Sequence, residues 1–132
     1  MDVSKLLGHE RLGLDITRAF PLLCVMGLIF DLSGLPGDTF SLPAISGIDL
    51  FLHGVIYGVL AGAALFAIHP HTGNIPRIKI VTGVIFFCLL YGISDEFHQS
   101  FVPFRTVSAL DVAADTAGGA ITSGLWFWLT PR

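Results

Sequence analysis

The chain has 132 residues, enough for one domain and too few for two. It is 53% hydrophobic and 13% charged, with a mean hydropathy of +0.77, about half the charge a water-soluble domain carries. A net charge of −3 with no basic cluster or aromatic-basic stripe excludes nucleic acid as a partner. The composition is that of a membrane protein.

Four apolar stretches predict an all-α integral membrane bundle of four transmembrane helices. The first, residues 19–30, is short for a span of about 20 residues, so it borrows Leu32 to Leu35 and leaves Arg18 to snorkel. Arg18 followed by a short apolar run resembles a signal peptide. No A-x-A-like cleavage site follows Phe30, however, and the charged leader is long, so the reading is an uncleaved span behind an N-terminal segment 1–18. The second span covers residues 48–68 (IDLFLHGVIYGVLAGAALFAI), the third 78–94 and the fourth 110–129, with the membrane domain as a whole at 19–130. The connections GLPGDTFSLPAISG, HPHTGNIPR and QSFVPFRTVS carry the prolines, glycines and polar residues that interrupt helices. His69 and His71 read as loop residues. Cys24 and Cys88 lie inside apolar runs without paired spacing and read as buried thiols.

Orientation follows from the cations. With four spans, Lys5, Arg11, Arg18, Arg77, Lys79 and Arg132 share one side and Arg105 is left on the other, so both termini are predicted to be cytoplasmic. Trp126 and Trp128 then read as interface anchors on the cytoplasmic side.

On this topology the ionisable groups gather in the outer layer. Asp49, His53 and Tyr57 recur at four-residue steps and share a helix face. Asp95, Glu96, His98 and Gln99 end the third span, Arg105 sits in the loop, and Asp111 and Asp115 enter the fourth span four residues apart. An acid at the bilayer centre costs about 2.5–3.5 kcal/mol, so polar groups brought together from three helices call for a purpose. Asp31, Asp38 and Asp95 read more simply as helix ends or headgroup contacts. Gly54, Gly58 and Gly62 form a strip on the second span, and Ala114 with Gly118, or Ala120 with Gly124, offers a similar surface on the fourth. Close approach of those strips would bring His53 near Asp111 or Asp115.

The run DEFHQSFVPFRTVSALDVAADTAGGAI resembles the signature of the VanZ-like family: an acidic pair, His-Gln, a phenylalanine, a proline, an arginine, a serine, two four-spaced polar positions and a glycine-rich stretch. IDLFLHGVIYGVL resembles the family's second-span motif. Asp49, His53, Tyr57, Asp95, Glu96, Gln99, Arg105, Ser108, Asp111 and Gly118 fall on matching positions. Leu50 stands where members commonly carry lysine, and Asp115 where they commonly carry asparagine. The resemblance implies a four-helix protein of the cell envelope, in the plasma membrane of a bacterium, whose eponym is associated with resistance to the glycopeptide teicoplanin.

The expectation is an outward pocket that recognises or modifies an envelope lipid or a related anionic, glycopeptide-linked ligand. Arg105 would grip a phosphate or carboxylate, Glu96 or Asp111 would act as base, and His53 or His98 would shuttle the proton. Asp49, Tyr57, Asp95, His98, Gln99, Arg105, Ser108 and Asp115 would line the ligand site. Asp, Glu and His are numerous enough for a divalent ion, but no spacing is diagnostic, so no residue is assigned as a metal ligand and no cofactor is named. The alternative is a non-catalytic membrane scaffold in which Arg105 pairs with Glu96 or Asp111. Proton or ion transport is weaker, because the inner halves of the spans hold few polar groups.

Overall fold

The computed structural model describes residues 16–39, 46–69 and 72–130. Within them lie four helices and no strand: α1 (Ile16–Ser33), α2 (Ile48–Ile68), α3 (Arg77–Gln99) and α4 (Ala109–Leu129). The second predicted span matches α2 to the residue. The third is longer than predicted, because the polar run after Ser94 continues helical to Gln99. A helix satisfies its own backbone whatever its side chains, so polarity alone does not end it. Lys5, Arg11, His71 and Arg132, and with them most of the N-terminal segment and much of the charge asymmetry, lie outside the described residues.

Large apolar side chains face outward on every helix, among them Phe20 and Leu23 on α1, Phe51 on α2, Phe86 and Leu90 on α3, and Ile121 and Leu125 on α4. Large apolar side chains exposed on all four helices suit contact with lipid rather than water. α2 and α3 are long and apolar enough to cross a membrane, with only 28% and 33% of their most apolar stretches buried. The central helices of a soluble protein would be covered instead. Cys88 is buried as expected, but Cys24 is exposed on α1, where the apolar run is an outer face rather than a core stripe.

α2 and α4 make the most extensive contact, followed by α3 with α4, while α1 leans mainly on α2. The glycine strip explains the first of these. A Cβ on Gly118 would stand 2.0 Å from the Gly54 carbonyl oxygen, so the two backbones touch with no side chain between them. Gly58 and Gly62 face Thr122 in the same seam, whereas Gly124 has nothing within 4 Å of its Cβ position and takes no part. The core beneath holds Ile29, Tyr57, Leu60, Leu65, Ile80, Val84 and Cys88.

The two ends of the bundle differ. At one, Arg18 donates to the Phe66 carbonyl, Arg77 lies over the Trp126 and Phe127 rings, and His69 meets Trp126 edge-on. At the other, where α1 and α3 finish and α2 and α4 begin, the two connecting loops are stapled together. Gly37 N–H donates to the Pro103 carbonyl at 3.1 Å, and a Cβ on Gly37 would strike the Phe104 carbonyl oxygen at 1.8 Å. Phe104 adopts φ 61°, a left-handed conformation costly for a side chain of its size, which turns the chain so that Arg105 reaches α1.

Candidate functional site

At this second end three helices deliver their polar residues to one place. α2 presents His53 one turn inside its start. α3 ends on the buried pair Asp95 and Glu96, and α4 begins with Asp111 and Asp115 on one face. Because α2 and α4 are in glycine contact, His53 reaches across the seam. Its Nδ1 lies 2.9 Å from Asp115 Oδ1, and its Nε2 lies 3.9 Å from Asp111 Oδ2. Asp115 is 0% exposed. Gly92 on α3 makes room for it, since a Cβ there would come within 2.8 Å of Asp115 Oδ2. A carboxylate accepts and does not donate, so His53 Nδ1–H donates to Asp115 and Nε2 is left facing Asp111, with Glu96 beside them.

Glu96, 3% exposed, accepts at Oε2 from the backbone N–H of Ser108 at 2.8 Å. Ser108 is also the N-cap of α4, its hydroxyl accepting from the N–H groups of Leu110 and Asp111 at 3.2 and 3.4 Å. One residue thus starts α4 and fixes the Glu96 carboxylate beside it. The other Glu96 oxygen, Oε1, is buried with no hydrogen-bond partner among the described residues, as are Asp115 Oδ2 and the Tyr57 hydroxyl. Native proteins rarely leave such atoms without a role.

Asp95 belongs to a second, adjoining group. It is buried rather than a simple helix end, hydrogen-bonded to the Ser33 hydroxyl of α1 and accepting from Gln99 Nε2 at 3.1 Å. Ser33 was missed in the sequence because its partner is 62 residues away and no local spacing announces it. Tyr91 is a second omission: its hydroxyl donates to the Met26 carbonyl at 2.7 Å and ties α3 to α1.

Other predicted residues lie apart from the cluster. Arg105 donates from Nε to the Leu35 carbonyl at 3.0 Å and from Nη2 to the Leu32 carbonyl at 2.9 Å, capping the end of α1. It makes no ion pair with a carboxylate among the described residues, so neither Glu96 nor Asp111 is its partner. His98 stacks on Phe30 at 4.3 Å, with no hydrogen bond to the cluster. Asp49 is exposed in the first turn of α2.

Beside these groups, bounded by α1, α2 and the end of α3, lies a cavity of about 630 Å³. Its walls are aliphatic, with Val25, Leu28, Leu52, Val55 and Val59 among them. Asp49, His53, Asp95, Gln99 and Arg105 give it a polar end, and Tyr57 also lines it. The volume suits a drug-sized molecule or a lipid segment.

The family model described as VanZ/LLP1 matches residues 19–130. Neither the curated proteins nor the solved structures include a significant match to the chain.

Proposed function

The chain belongs to the VanZ/LLP1 family, and on that premise we propose that it is a four-span protein of the bacterial plasma membrane that recognises an envelope amphiphile at the outer leaflet. The family and the two span-length helices point to a membrane protein. The outward apolar faces of α1 and α4 support two further spans. The grouping of Arg18 and Arg77 at the end opposite Arg105 supports an N-terminus and a C-terminus on the cytoplasmic side.

One observation carries the ligand class: the cavity is aliphatic along its length and polar at one end, the same division an amphiphile has. An acyl or isoprenyl chain lies along Leu28, Leu52, Val55 and Val59, and its head meets Asp49, Asp95, Gln99 and the remaining terminal nitrogen of Arg105. Modification of that head would use Glu96 or Asp111 as base, with His53 carrying the proton. A link to glycopeptide resistance would run through the head recognised, and teicoplanin susceptibility of cells with and without the gene tests it.

The direct experiment is mass spectrometry of lipids that co-purify with the protein from native membranes in mild detergent. Val55→Trp fills the cavity from α2 and is expected to reduce the retained species at least tenfold. Phe86→Trp, on the outer face of α3, leaves it unchanged. Equal retention by both variants would refute the cavity as the ligand site. Glu96→Gln and Asp111→Asn then separate the readings. They abolish a reaction, weaken binding in part, and leave a scaffold unaffected.

A further inference from the structure

We propose that His53, Glu96 and Asp111 form a binding site for a divalent transition-metal ion of the zinc and manganese class, oriented by Asp115. One ligand atom from each of the three residues lies within 4.8 Å of the other two. An ion about 2.0–2.2 Å from each of its N and O ligands holds them about 3–4 Å apart, so a contraction of about 1–2 Å, within reach of side-chain rotation, completes the set. The ligands come from α2, α3 and the first turn of α4, and the glycine contact and the Ser108 cap fix the relative placement of those elements.

Three further observations point to an ion rather than to a cluster of acids. Glu96 is 3% exposed, and its Oε1 is buried with no other partner, although its Oε2 is already held by the Ser108 N–H. That leaves Oε1 free to take an ion in a residue that already stands beside His53 and Asp111. His53 is bound through Nδ1 to Asp115, so Nε2 is the free nitrogen; a carboxylate on the far side of the imidazole is the usual support of a metal-ligating histidine. Finally, Glu96, Asp111 and Asp115 gather three carboxylates around one imidazole, and Arg105, in the loop at this end, donates to the Leu32 and Leu35 carbonyls instead. Among the described residues no Lys or Arg forms an ion pair with these carboxylates, and a divalent ion would meet their charge.

One imidazole and two carboxylates leave an open coordination position, the form of a catalytic rather than a purely structural site. The ion and a proton-carrying role exclude each other at Nε2, so with metal bound His53 is a ligand. A bound ion would also make the carboxylate cluster able to receive a phosphate; that consequence rests on the amphiphile reading, whereas the ion site does not.

The test uses the full chain in detergent, stripped with chelator and titrated with Zn²⁺ against a fluorescent indicator, without added lipid. One equivalent is expected with micromolar or tighter affinity. His53→Gln and Glu96→Gln should each weaken it at least 100-fold. Asp115→Asn should weaken it about tenfold while leaving the stoichiometry at one, as loss of an orienting group does. His69→Gln, at the other end of the bundle, should change nothing. Zinc-edge X-ray absorption of the wild type keeps the proposal testable should a variant fail to fold, and one imidazole among oxygen ligands is expected. Absence of binding, sulfur or several imidazoles around the ion, or affinity lost in His69→Gln and kept in His53→Gln would each overturn it. Zinc bound without lipid retention would leave the metal site standing and the amphiphile reading refuted, and the reverse result would do the opposite.

Discussion

Replacing Gly118 by alanine should lower the stability of the protein more than any other single methyl group added to α4. The new Cβ would lie 2.0 Å from the Gly54 carbonyl oxygen and 2.8 Å from its carbon. Both are backbone atoms of a helix, so no rotamer change relieves the clash, and α2 and α4 must move apart by about an ångström before the contact becomes tolerable. Overpacking of this kind costs about 1–3 kcal/mol, and occasionally more. Because Asp115 and Gly118 share the first turns of α4, the same movement draws the carboxylate away from His53. A clear fall in the thermal midpoint in detergent is therefore expected together with weaker zinc binding. Gly124→Ala supplies the control: nothing lies within 4 Å of its Cβ position, and it should match the wild type in both measurements. Equal midpoints for the two variants would mean that the helices do not meet at Gly54 and Gly118.

The second large effect is expected from His53→Ala. It removes the only described hydrogen-bond partner of Asp115, which is 0% exposed and already has one oxygen without a partner. Breaking one side of a buried charged pair costs about 3–5 kcal/mol, most of it from the group left behind. Asp115→Ala alone should cost less, because His53 keeps partial access to solvent. The double variant should then be more stable than the sum of the two losses implies, with a coupling of about 0.5–3 kcal/mol. Additive losses across the cycle, measured by chemical denaturation or thermal midpoint, would show that the two side chains do not meet.

Much of this arrangement is legible in the sequence because it is periodic. Four-residue steps placed Asp49, His53 and Tyr57 on one face of α2 and Asp111 with Asp115 on α4. Small residues at the same period implied the seam that joins His53 to Asp115. The burial of Asp95 was not legible, since its environment is made by Ser33 from a different helix, and a helix-end acid looks alike whether it meets water or a hydroxyl. Arg105 was misleading for a related reason. An arginine in an acidic neighbourhood suggests an ion pair, but the carbonyls of Leu32 and Leu35, at and just past the end of α1, are equally good acceptors and lie closer. The continuation of α3 through Asp95–Gln99 shows how a polar run reads as a boundary when the backbone simply goes on coiling. His98 illustrates the limit of residue type as a guide. Three positions from Asp95 it turns toward Phe30, while His53, from another helix, enters the cluster.

The most direct measurement is the protonation of the His53 ring by ¹⁵N NMR in histidine-labelled protein, compared with Asp115→Asn. A ring held between α2 and α4 should carry its proton on Nδ1, donated to Asp115, with Nε2 alone shifting when Zn²⁺ is added. A His53 ring that shows the Nε2–H tautomer, or the averaged signals of a free imidazole unchanged by Asp115→Asn, would contradict the meeting of these helices at a common polar site.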